Sequence, residues 1–271
     1  MESRESPRHI QAFFCMTELV SVIMPTYNCG RFIRESINSV LTQTYTDWEL
    51  LIVDDCSTDD TESIVRSYND SRIRYTRNEE NLGAALTRNK ALKNAKGRYI
   101  AFLDSDDVWA PEKFKRQIAF MQANNYAFTY HDYIEIDEAS QSIGRYVSGK
   151  KRLRPFDMKC CCWPGCLSVM YDAQKIGLIQ IPDIKKNNDS ALWLQVIQKA
   201  DCYLLPEKLA KYRRRTGSIT PTSVWQKIGW HYILFHEGAK MNPLASVFWM
   251  CMNIIGNSYK KLFYVKRYET I

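Results

Sequence analysis

The sequence predicts an α/β protein in which a mostly parallel sheet carries helices on both faces. The first observation is that apolar runs of strand length alternate with segments whose apolar residues recur at helical spacing. The second is that two of these runs end abruptly in aspartates, most clearly Tyr99 to Leu103 before Asp104. An apolar run bounded in this way is typical of a buried strand, and ligands of open α/β sheets bind at the carboxyl ends of the strands.

The first half of the chain contains the regular alternation. The predicted strands are Leu19 to Met24, Trp48 to Val53, Ile73 to Thr76 and Tyr99 to Leu103. Four helices are predicted from apolar stripes and from capping signals, namely Ile33 to Leu41, Ile64 to Tyr68 after the turn Ser57 to Asp60, Ala84 to Ala95 closed by Gly97, and one that begins at Pro111.

After Asn124 the pattern changes, and the second half is predicted to be β-rich before it becomes helical. The predicted strands are Ala127 to Ile136, Leu167 to Tyr171, Tyr203 to Leu205 and Leu209 to Tyr212. A helix is predicted after Asn188-Asp189, and the chain past Pro221 is predicted to be helical. The C-terminus is therefore expected to form a helical appendage.

Composition limits the class without defining the function. The chain has 271 residues, a net charge of +7 and nine cysteines. The length fits one domain with an appendage, and the charge suits nucleic acid, anionic lipid or a phosphorylated small molecule. An odd number of cysteines without disulfide spacing favours a reducing compartment. The cluster Cys160 to Cys162 with Cys166 lacks paired metal-ligand spacing, so packing is favoured there.

Aspartates that follow two separate strands are expected to converge. Asp54-Asp55 and Asp104 to Asp107 both lie at strand ends on the same edge of the predicted sheet. Several carboxylates in one crevice repel one another, and a divalent cation with oxygen ligands, Mg²⁺ or Mn²⁺, resolves that conflict. The alternative is a polar turn in which Asp107 caps the following helix.

Motifs in a fixed order support a family resemblance. They are Val20 to Asn28, Ser39 to Tyr45, Glu49 to Thr58, Asn81-Leu82-Gly83 with Thr87-Arg88-Asn89, Tyr99 to Asp107, and Asn188-Asp189 to Leu194. In this order and spacing they resemble the inverting family 2 glycosyltransferases of the GT-A fold, particularly bacterial enzymes of surface-polysaccharide assembly. The resemblance spans about Leu19 to Thr220 and implies a Rossmann-like GT-A fold.

The resemblance also implies donor-site roles for individual residues. A base pocket, a diphosphate site and a metal site are implied, with Mn²⁺ or Mg²⁺ as the cofactor. Tyr27 resembles the aromatic residue that stacks on uracil, and Asp55, supported by Asp54, matches the acceptor of the base imide N–H. The residues implied in nucleotide binding are Pro25, Thr26, Tyr27, Asp54, Asp55, Arg88, Asp104, Ser105, Arg213 and Arg214, with Arg215 beside them, and the implied metal ligands are Asp106 and Asp104.

The catalytic base implied by the resemblance is Asp189. Relatives usually carry Glu-Asp before the equivalent of Leu192-Trp193-Leu194, whereas this chain has Asn188-Asp189, so the first acid is missing. That departure concerns how the enzyme recognises the hydroxyl groups of its acceptor. The alternative role for Asp189 is that of a helix N-cap, because an apolar-periodic helix follows it.

The implied function is transfer of a sugar, expected from a UDP-sugar, to a hydroxyl of a glycan or lipid-linked glycan. The implied division is an extension over 1–15, a catalytic domain over 16–220 with nucleotide-binding (16–124) and acceptor-binding (125–220) parts, and a helical region over 221–271. We expect a cytoplasmic protein without nucleic-acid partners, held peripherally on the inner face of the plasma membrane if its basic C-terminal helix binds anionic lipid, and able to form homo-oligomers. A sugar-nucleotidyltransferase and a basic membrane-surface adaptor are the alternatives.

Overall fold

The computed structural model describes residues 18–215 and 223–268, and an eleven-stranded sheet lies at the centre of that part of the chain. The strands are β1 (Val20–Thr26), β2 (Trp48–Asp54), β3 (Ile73–Arg77), β4 (Tyr99–Phe102), β5 (Val108–Trp109), β6 (Phe128–Ile136), β7 (Ser142–Val147), β8 (Arg152–Leu153), β9 (Met170–Asp172), β10 (Cys202–Arg213) and β11 (Val265–Arg267).

The helices lie on both faces of this sheet, and the last two belong to the C-terminal region of the chain. They are α1 (Gly30–Leu41), α2 (Thr61–Arg66), α3 (Ala84–Lys93), α4 (Lys113–Asn124), α5 (Pro155–Cys160), α6 (Ala173–Ile176), α7 (Asn188–Val196), α8 (Val224–Ile233) and α9 (Pro243–Phe263). A 3₁₀ turn at Cys166–Ser168 and a π-helical turn at Leu234–Gly238 complete the secondary structure of the described residues.

The predicted parallel sheet is confirmed in the first half of the chain. Strands β3, β2, β1 and β4 lie side by side in that order and are all parallel. The sheet continues beyond β4 with β9, β6, β7 and β11, and each of these neighbours is antiparallel to the next. Strand β10 runs parallel to β6 along the length of that strand. The α/β class is therefore as expected, with a mixed extension built by the second half.

Both faces of the parallel part are buried, which explains its nearly continuous apolar strands. Along β1, Val20, Val22 and Met24 lie in one apolar core together with residues of α1 and α4. Ile23 lies in the other core, which contains residues of α3 and α7. The two-residue periodicity of a strand therefore divides β1 between two cores, and burial on both sides fixes its register.

Two predicted strands of the second half differ from the observed ones. The expected strand from Leu167 to Tyr171 is a 3₁₀ turn followed by the three-residue β9. The two strands expected around Pro206 are one continuous strand, β10, whose register shifts on either side of Lys208. Proline has no N–H for a sheet ladder, so the chain bulges there and then resumes pairing with β6.

The C-terminal region packs against the second half of the chain. An added Cβ at Gly256 in α9 would lie 2.0 Å from the carbonyl oxygen of Cys160, so the helix backbone approaches α5 closely. Asn253 Nδ2 donates to the carbonyl of Lys159 at 2.8 Å, and β11 pairs with β7. The predicted helices are present, and β11 adds a strand that the sequence prediction lacked. The predicted extension over 1–15 lies outside the described residues, as does the predicted boundary at 220.

Candidate functional site

The carboxyl ends of β1, β2 and β4 enclose a cavity of about 470 Å³, the donor-side cavity. The turns that follow these strands supply most of its lining, as expected for an open α/β sheet. The sequence-predicted residues that line it are Pro25, Thr26, Tyr27, Asp55, Arg88, Asp104, Ser105, Asp106, Arg213 and Arg215.

Tyr27 is an exposed aromatic residue at the mouth of this cavity. It follows β1 directly, and 49% of its surface is exposed. Its loop is fixed because the Asn28 N–H donates to Ser57 Oγ at 2.9 Å and Asn28 Oδ1 accepts from the Thr58 N–H at 2.8 Å. Asn28 has a positive φ of 46°, a conformation that asparagine tolerates better than most residues. The ring is thus held in place and still accessible to a flat ligand.

The carboxylate of Asp55 is fixed by three hydrogen bonds. Its Oδ1 accepts from Asn78 Nδ2 and from the Leu82 N–H, each at 2.8 Å, and its Oδ2 accepts from the Gly83 N–H at 2.8 Å. Gly83 has a φ of +83°, where a side chain would be strained. An ionised carboxylate has about four acceptor sites, so Asp55 retains capacity for a ligand N–H.

Asp54 lies behind the cavity rather than on its surface. It is fully buried, accepts from the Ser57 N–H at 2.8 Å and from the Tyr75 hydroxyl at 2.7 Å, and is not among the lining residues. Its role in the structure is to hold the loop that carries Asp55.

Asp104 and Asp106 each lie against an arginine. Arg88, which is buried, pairs with Asp104 and also donates to Asn188 Oδ1 at 2.8 Å. Arg215 Nε lies 3.0 Å from Asp106 Oδ2. Burial and the neighbouring Asp104 carboxylate raise the pKa of Asp106 above its ordinary value. Two carboxylates and two guanidinium groups therefore meet at the end of β4.

The two aspartates fit a divalent cation that is completed by substrate. Among residues 18–215 and 223–268, no group of three or more His, Cys, Asp or Glu side chains is arranged to hold a metal by itself. Mg²⁺ is usually bound by one or two carboxylates together with substrate phosphates and water, and Asp104 and Asp106 supply such a partial set.

The three consecutive arginines after Tyr212 have three different environments. The side chain of Arg213 is 0% exposed, pairs with Glu35 and donates to the backbone carbonyl of Asp106 at 2.8 Å. Arg214 pairs with Glu135 and is not in the donor-side lining. Arg215 reaches Asp106 inside the cavity. Of these three arginines, Arg215 is thus the one whose guanidinium is accessible in the donor-side cavity, while Arg213 forms part of its wall.

A second cavity of about 290 Å³, the acceptor-side cavity, adjoins the first. Asp104 and Tyr212 line both cavities, so the two lie next to each other at these residues. Its lining residues are Asp104, Asp107, Tyr133, Gly165, Cys166, Leu167, Asp189, Tyr212 and Arg214.

Asp189 lies in the acceptor-side cavity and is not the helix cap. The N-cap of α7 is Asn187, and Asp189 is the second residue of the helix. Its Oδ1 accepts from the Ser190 N–H at 2.7 Å. A carboxylate at this point also benefits from the positive end of the helix dipole. The structure therefore places this carboxylate in the cavity that adjoins the one lined by Asp106, with Asp104 in the lining of both.

Several lining residues escaped sequence reasoning. Lys185 and Lys186 line the donor-side cavity, and Tyr133 and Tyr212 line the acceptor-side cavity. The pair of lysines directly before Asn187 was the sequence feature that could have indicated positive charge at the donor-side cavity. The tyrosines carried none, since they sit on β6 and β10 and meet only through long-range strand pairing.

Two other features lie apart from these cavities. A larger cavity of about 730 Å³ lies between residues 180–184, α7 and residues 237–241, away from the clustered carboxylates. The cysteines at 160–162 and 166 are free thiols, and Cys161 and Cys162 pack in an apolar core away from the cavities, in keeping with the packing role expected for them, whereas Cys166 packs against that core and also lines the acceptor-side cavity.

Comparison with known proteins agrees with this geometry. The family described as "Glycosyl transferase family 2" matches residues 21–168. The putative teichuronic acid biosynthesis glycosyltransferase TuaG of Bacillus subtilis (strain 168) is 37% identical, over 90% of this chain and 97% of its own. The Escherichia coli UDP-Glc:alpha-D-GlcNAc-diphosphoundecaprenol beta-1,3-glucosyltransferase WfgD is 38% identical, over 88% of this chain and 92% of its own.

The chain belongs to glycosyltransferase family 2, and it is a glycosyltransferase. Its fold is similar to that of S. aureus TarS 1–349 in complex with UDP-GlcNAc, with a TM-score of 0.68 and 23% identity over 88% of this chain and 72% of that one. The predicted family and the GT-A fold are thereby confirmed.

Proposed function

We propose that this enzyme transfers a sugar from a UDP-sugar to a hydroxyl of a lipid-linked saccharide, with inversion at the anomeric carbon. The observation that carries the proposal is that two adjoining cavities share Asp104 and Tyr212. The donor-side cavity is lined by residues implied in nucleotide binding, and the acceptor-side cavity is lined by Asp189. Inversion requires attack from the face opposite the leaving diphosphate, and two cavities that meet at one boundary suit that geometry.

The donor-side cavity suits a uridine diphosphate. Tyr27 presents an exposed ring for stacking on the base, and Asp55 offers an anchored carboxylate for the imide N–H. Arg215, Lys185 and Lys186 supply positive charge to the diphosphate. The TarS complex with UDP-GlcNAc supports a uridine nucleotide on this fold.

Asp104 and Asp106 would hold Mg²⁺ or Mn²⁺ together with the diphosphate oxygens. A divalent cation in that position supplies Lewis-acid stabilisation of the departing nucleoside diphosphate. Arg215 adjoins Asp106 and adds a guanidinium to the same developing charge.

Asp189 is the proposed general base. Its carboxylate takes the proton of the acceptor hydroxyl as the oxygen attacks the anomeric carbon, and the C–O bond to the diphosphate breaks. Asn188, which stands where relatives usually carry glutamate, accepts a hydrogen bond from Arg88. Arg88 thereby connects α7 to Asp104 without a second carboxylate between them.

The acceptor class comes from the relatives. The name of WfgD specifies a GlcNAc-diphosphoundecaprenol acceptor, and that of TuaG specifies teichuronic acid biosynthesis. A lipid-linked saccharide of a surface polysaccharide is therefore the proposed acceptor.

Thermal unfolding with UDP and Mn²⁺ tests the donor half of the proposal. UDP plus Mn²⁺ should raise Tm more than UDP alone or GDP plus Mn²⁺, because ligand binding stabilises the native state. A screen of UDP-sugars for metal-dependent transfer to a GlcNAc-diphospholipid then identifies the donor. A sugar-nucleotidyltransferase would respond to a nucleoside triphosphate and sugar phosphate, and an adaptor would respond to neither set.

We also propose that α9 rests on an anionic membrane surface, where a lipid-linked acceptor would be. A stripe of apolar side chains on this helix is exposed, with Leu244 at 87% and Leu262 at 74%. Between Gly238 and Tyr268 the chain has five lysines and arginines and no acidic residue, and Lys261, Lys266 and Arg267 are exposed. An apolar face with a basic border suits anionic lipid. The other members of the stripe are Val247, Phe248, Ile255, Tyr259 and Phe263.

The contacts of α9 show which of its residues do not belong to the exposed stripe. Met252 is partly buried, and Lys260 Nζ donates to the carbonyls of Cys162 at 3.0 Å and Trp163 at 2.7 Å, so neither belongs to the exposed stripe. No helix among the described residues is long and apolar enough to cross a bilayer. Docking in the plane of the surface is the arrangement we propose.

Point variants test this better than a truncation, because deletion of the C-terminus would remove α9 from α5 and β11 from the sheet. Ile255→Ser/Leu262→Ser should reduce co-sedimentation with phosphatidylglycerol vesicles several-fold, and 0.5 M salt should reduce it further for the parent protein. Leu178→Ser, at an exposed leucine far from α9 in sequence, is the control. Equal pelleting of all three proteins would contradict the proposal.

A further inference from the structure

We propose that Arg214 binds a phosphoryl group of the acceptor, next to the sugar that is glycosylated. This inference rests on the proposed function and specifies how the acceptor is recognised. It differs from the role that the sequence resemblance implied for Arg214, which was binding of the donor nucleotide.

The first observation is the separation of Arg214 from its neighbours. Arg213 and Arg215 line the donor-side cavity, whereas Arg214 lines the acceptor-side cavity together with Asp189. Successive side chains of an extended chain point to opposite sides, and the end of β10 follows that rule. Arg214 is the one basic residue in the lining of this cavity, as far as the described residues go.

The second observation is that the guanidinium of Arg214 is held in place. Glu135, whose side chain is 0% exposed, accepts from Arg214 Nε at 2.9 Å and also from Nη2 through the same oxygen, Oε1. The Arg214 guanidinium lies 5.2 Å from the centre of the Tyr212 ring. Within the described part of the chain, Arg214 Nη1 has no hydrogen-bond partner, and 54% of the side chain is exposed.

The third observation is an excess of positive charge at Glu135. Arg145 Nη2 lies 2.7 Å from Glu135 Oε2, so one buried carboxylate faces two guanidinium groups. Arg145 alone would compensate the buried charge of Glu135. The second guanidinium gives this group of three side chains a net positive charge, and it stands on the cavity surface, whereas Arg145 lies on β7 and is not in the cavity lining.

The size and charge of the cavity restrict where a sugar phosphate would lie in it. A volume of about 290 Å³ corresponds to roughly ten water molecules in the liquid, which is close to one sugar ring. Asp104, Asp107 and Asp189 line the same space and would repel an anion placed near them. A phosphoryl group therefore has one favourable position, at Arg214. Anchoring it there directs the sugar hydroxyls towards Asp189.

Steady-state kinetics with two acceptors tests this assignment. The acceptors are a short-chain polyprenyl diphospho-GlcNAc and octyl GlcNAc, which carries the same sugar without phosphate. Arg214→Gln should raise KM for the diphosphate acceptor by about 10–100-fold, the usual worth of a charge-assisted hydrogen bond or two. KM for octyl GlcNAc and for the UDP-sugar should stay within twofold. Arg145→Gln, which removes the other partner of Glu135, is the matched control and should leave all three values near those of the parent enzyme.

Other outcomes would overturn the inference. Equal losses with both acceptors would make Arg214 a structural partner of Glu135, and a raised KM for the UDP-sugar would return it to the donor site. Calorimetric binding of GlcNAc 1-phosphate in the presence of UDP and Mn²⁺ gives a readout that does not need turnover, and Arg214→Gln should abolish it. Absence of any stabilisation by UDP with Mn²⁺ would instead contradict the proposed function itself.

Discussion

The two halves of the molecule build their parts of the site in different ways. In the first half, each strand of the parallel sheet ends at one edge, and the next few residues in sequence supply the site: Tyr27 after β1, Asp55 after β2 and Asp104 after β4. In the second half, Tyr133, Asp189 and Arg214 come from β6, from α7 and from the residue after β10. The donor side is thus built mainly from turns of the first half, to which the second half adds Lys185, Lys186, Arg213 and Arg215, and the acceptor side depends on long-range pairing.

This difference indicates where substrate specificity resides. The donor side is fixed by backbone turns and by buried partners such as Asn78 and Gly83 on Asp55. The acceptor side is formed by side chains on a long strand and a helix start, which can change without disturbing the sheet edge. Substitutions on the donor side should therefore affect turnover with every combination of donor and acceptor. Substitutions on the acceptor side should affect turnover with one acceptor more than with another.

The largest effect on the donor side is expected at Asp106. Asp106→Ala should lower kcat by about 10³-fold, because a ligand of the cation that stabilises the leaving diphosphate is lost. The fold should survive, since the pKa of Asp106 is raised in the native protein and the carboxylate is unfavourable there by itself. Turnover with and without EDTA measures this. The control is Asp201→Asn, which alters an exposed ion pair with Arg152. An Asp106→Ala enzyme that stayed active in EDTA would refute the metal assignment.

The next effect separates two adjacent arginines. Arg215→Gln should lower kcat/KM for the UDP-sugar by about 10–100-fold at unchanged Tm, because its guanidinium lies in the cavity. Arg213→Gln should instead lower the free energy of unfolding by roughly 3 kcal/mol, because it removes a buried guanidinium that pairs with Glu35 and donates to Ser140 Oγ and to two backbone carbonyls. For a chain of this size that loss lowers Tm by roughly 6–12 °C. Identical behaviour of the two variants would contradict the assignment of Arg213 to the cavity wall and of Arg215 to the binding site.

The smallest effect is expected at Tyr27. Tyr27→Ala should weaken UDP binding by about tenfold, since stacking of a base on an aromatic side chain contributes about 1–3 kcal/mol and this ring is half exposed. Tyr27→Phe keeps the ring and should bind UDP like the parent protein. Isothermal titration with UDP and Mn²⁺ measures both. Equal affinity of all three proteins would mean that the base lies elsewhere.

The same difference explains how much the sequence could predict. The parallel strands, the cavity at their ends and the positions of Tyr27, Asp55 and Asp106 follow from alternating patterns and from motifs a few residues long. Asp54 was placed with Asp55, yet it is the last residue of β2 and is absent from the cavity lining, whereas Asp55 follows the strand and lines the cavity. Sequence adjacency could not distinguish Arg213, Arg214 and Arg215.

The remaining acceptor-side features depend on pairing that no local pattern encodes. The bulges of β10 set which face Tyr212 and Arg214 occupy, and the buried Glu135 holds Arg214 from a strand about 80 residues away in sequence. Strand β11 is only three residues long, so it forms through contact with β7 rather than through its own propensity. These features follow from tertiary packing, and their residue types alone are ordinary.

The most direct test of the central claim is the turnover of Asp189→Asn. A general base contributes roughly 10²–10⁴-fold in rate, and asparagine cannot take the proton. Because asparagine keeps a side-chain oxygen that can accept from the Ser190 N–H, the Asp189→Asn substitution should leave Tm and UDP affinity near those of the parent enzyme. Asp183→Asn, at an exposed aspartate a few residues earlier, is the control. We predict a loss of at least 10²-fold in kcat with both acceptors at unchanged Tm. Near-normal turnover of Asp189→Asn would contradict the account and require a different base in the acceptor-side cavity.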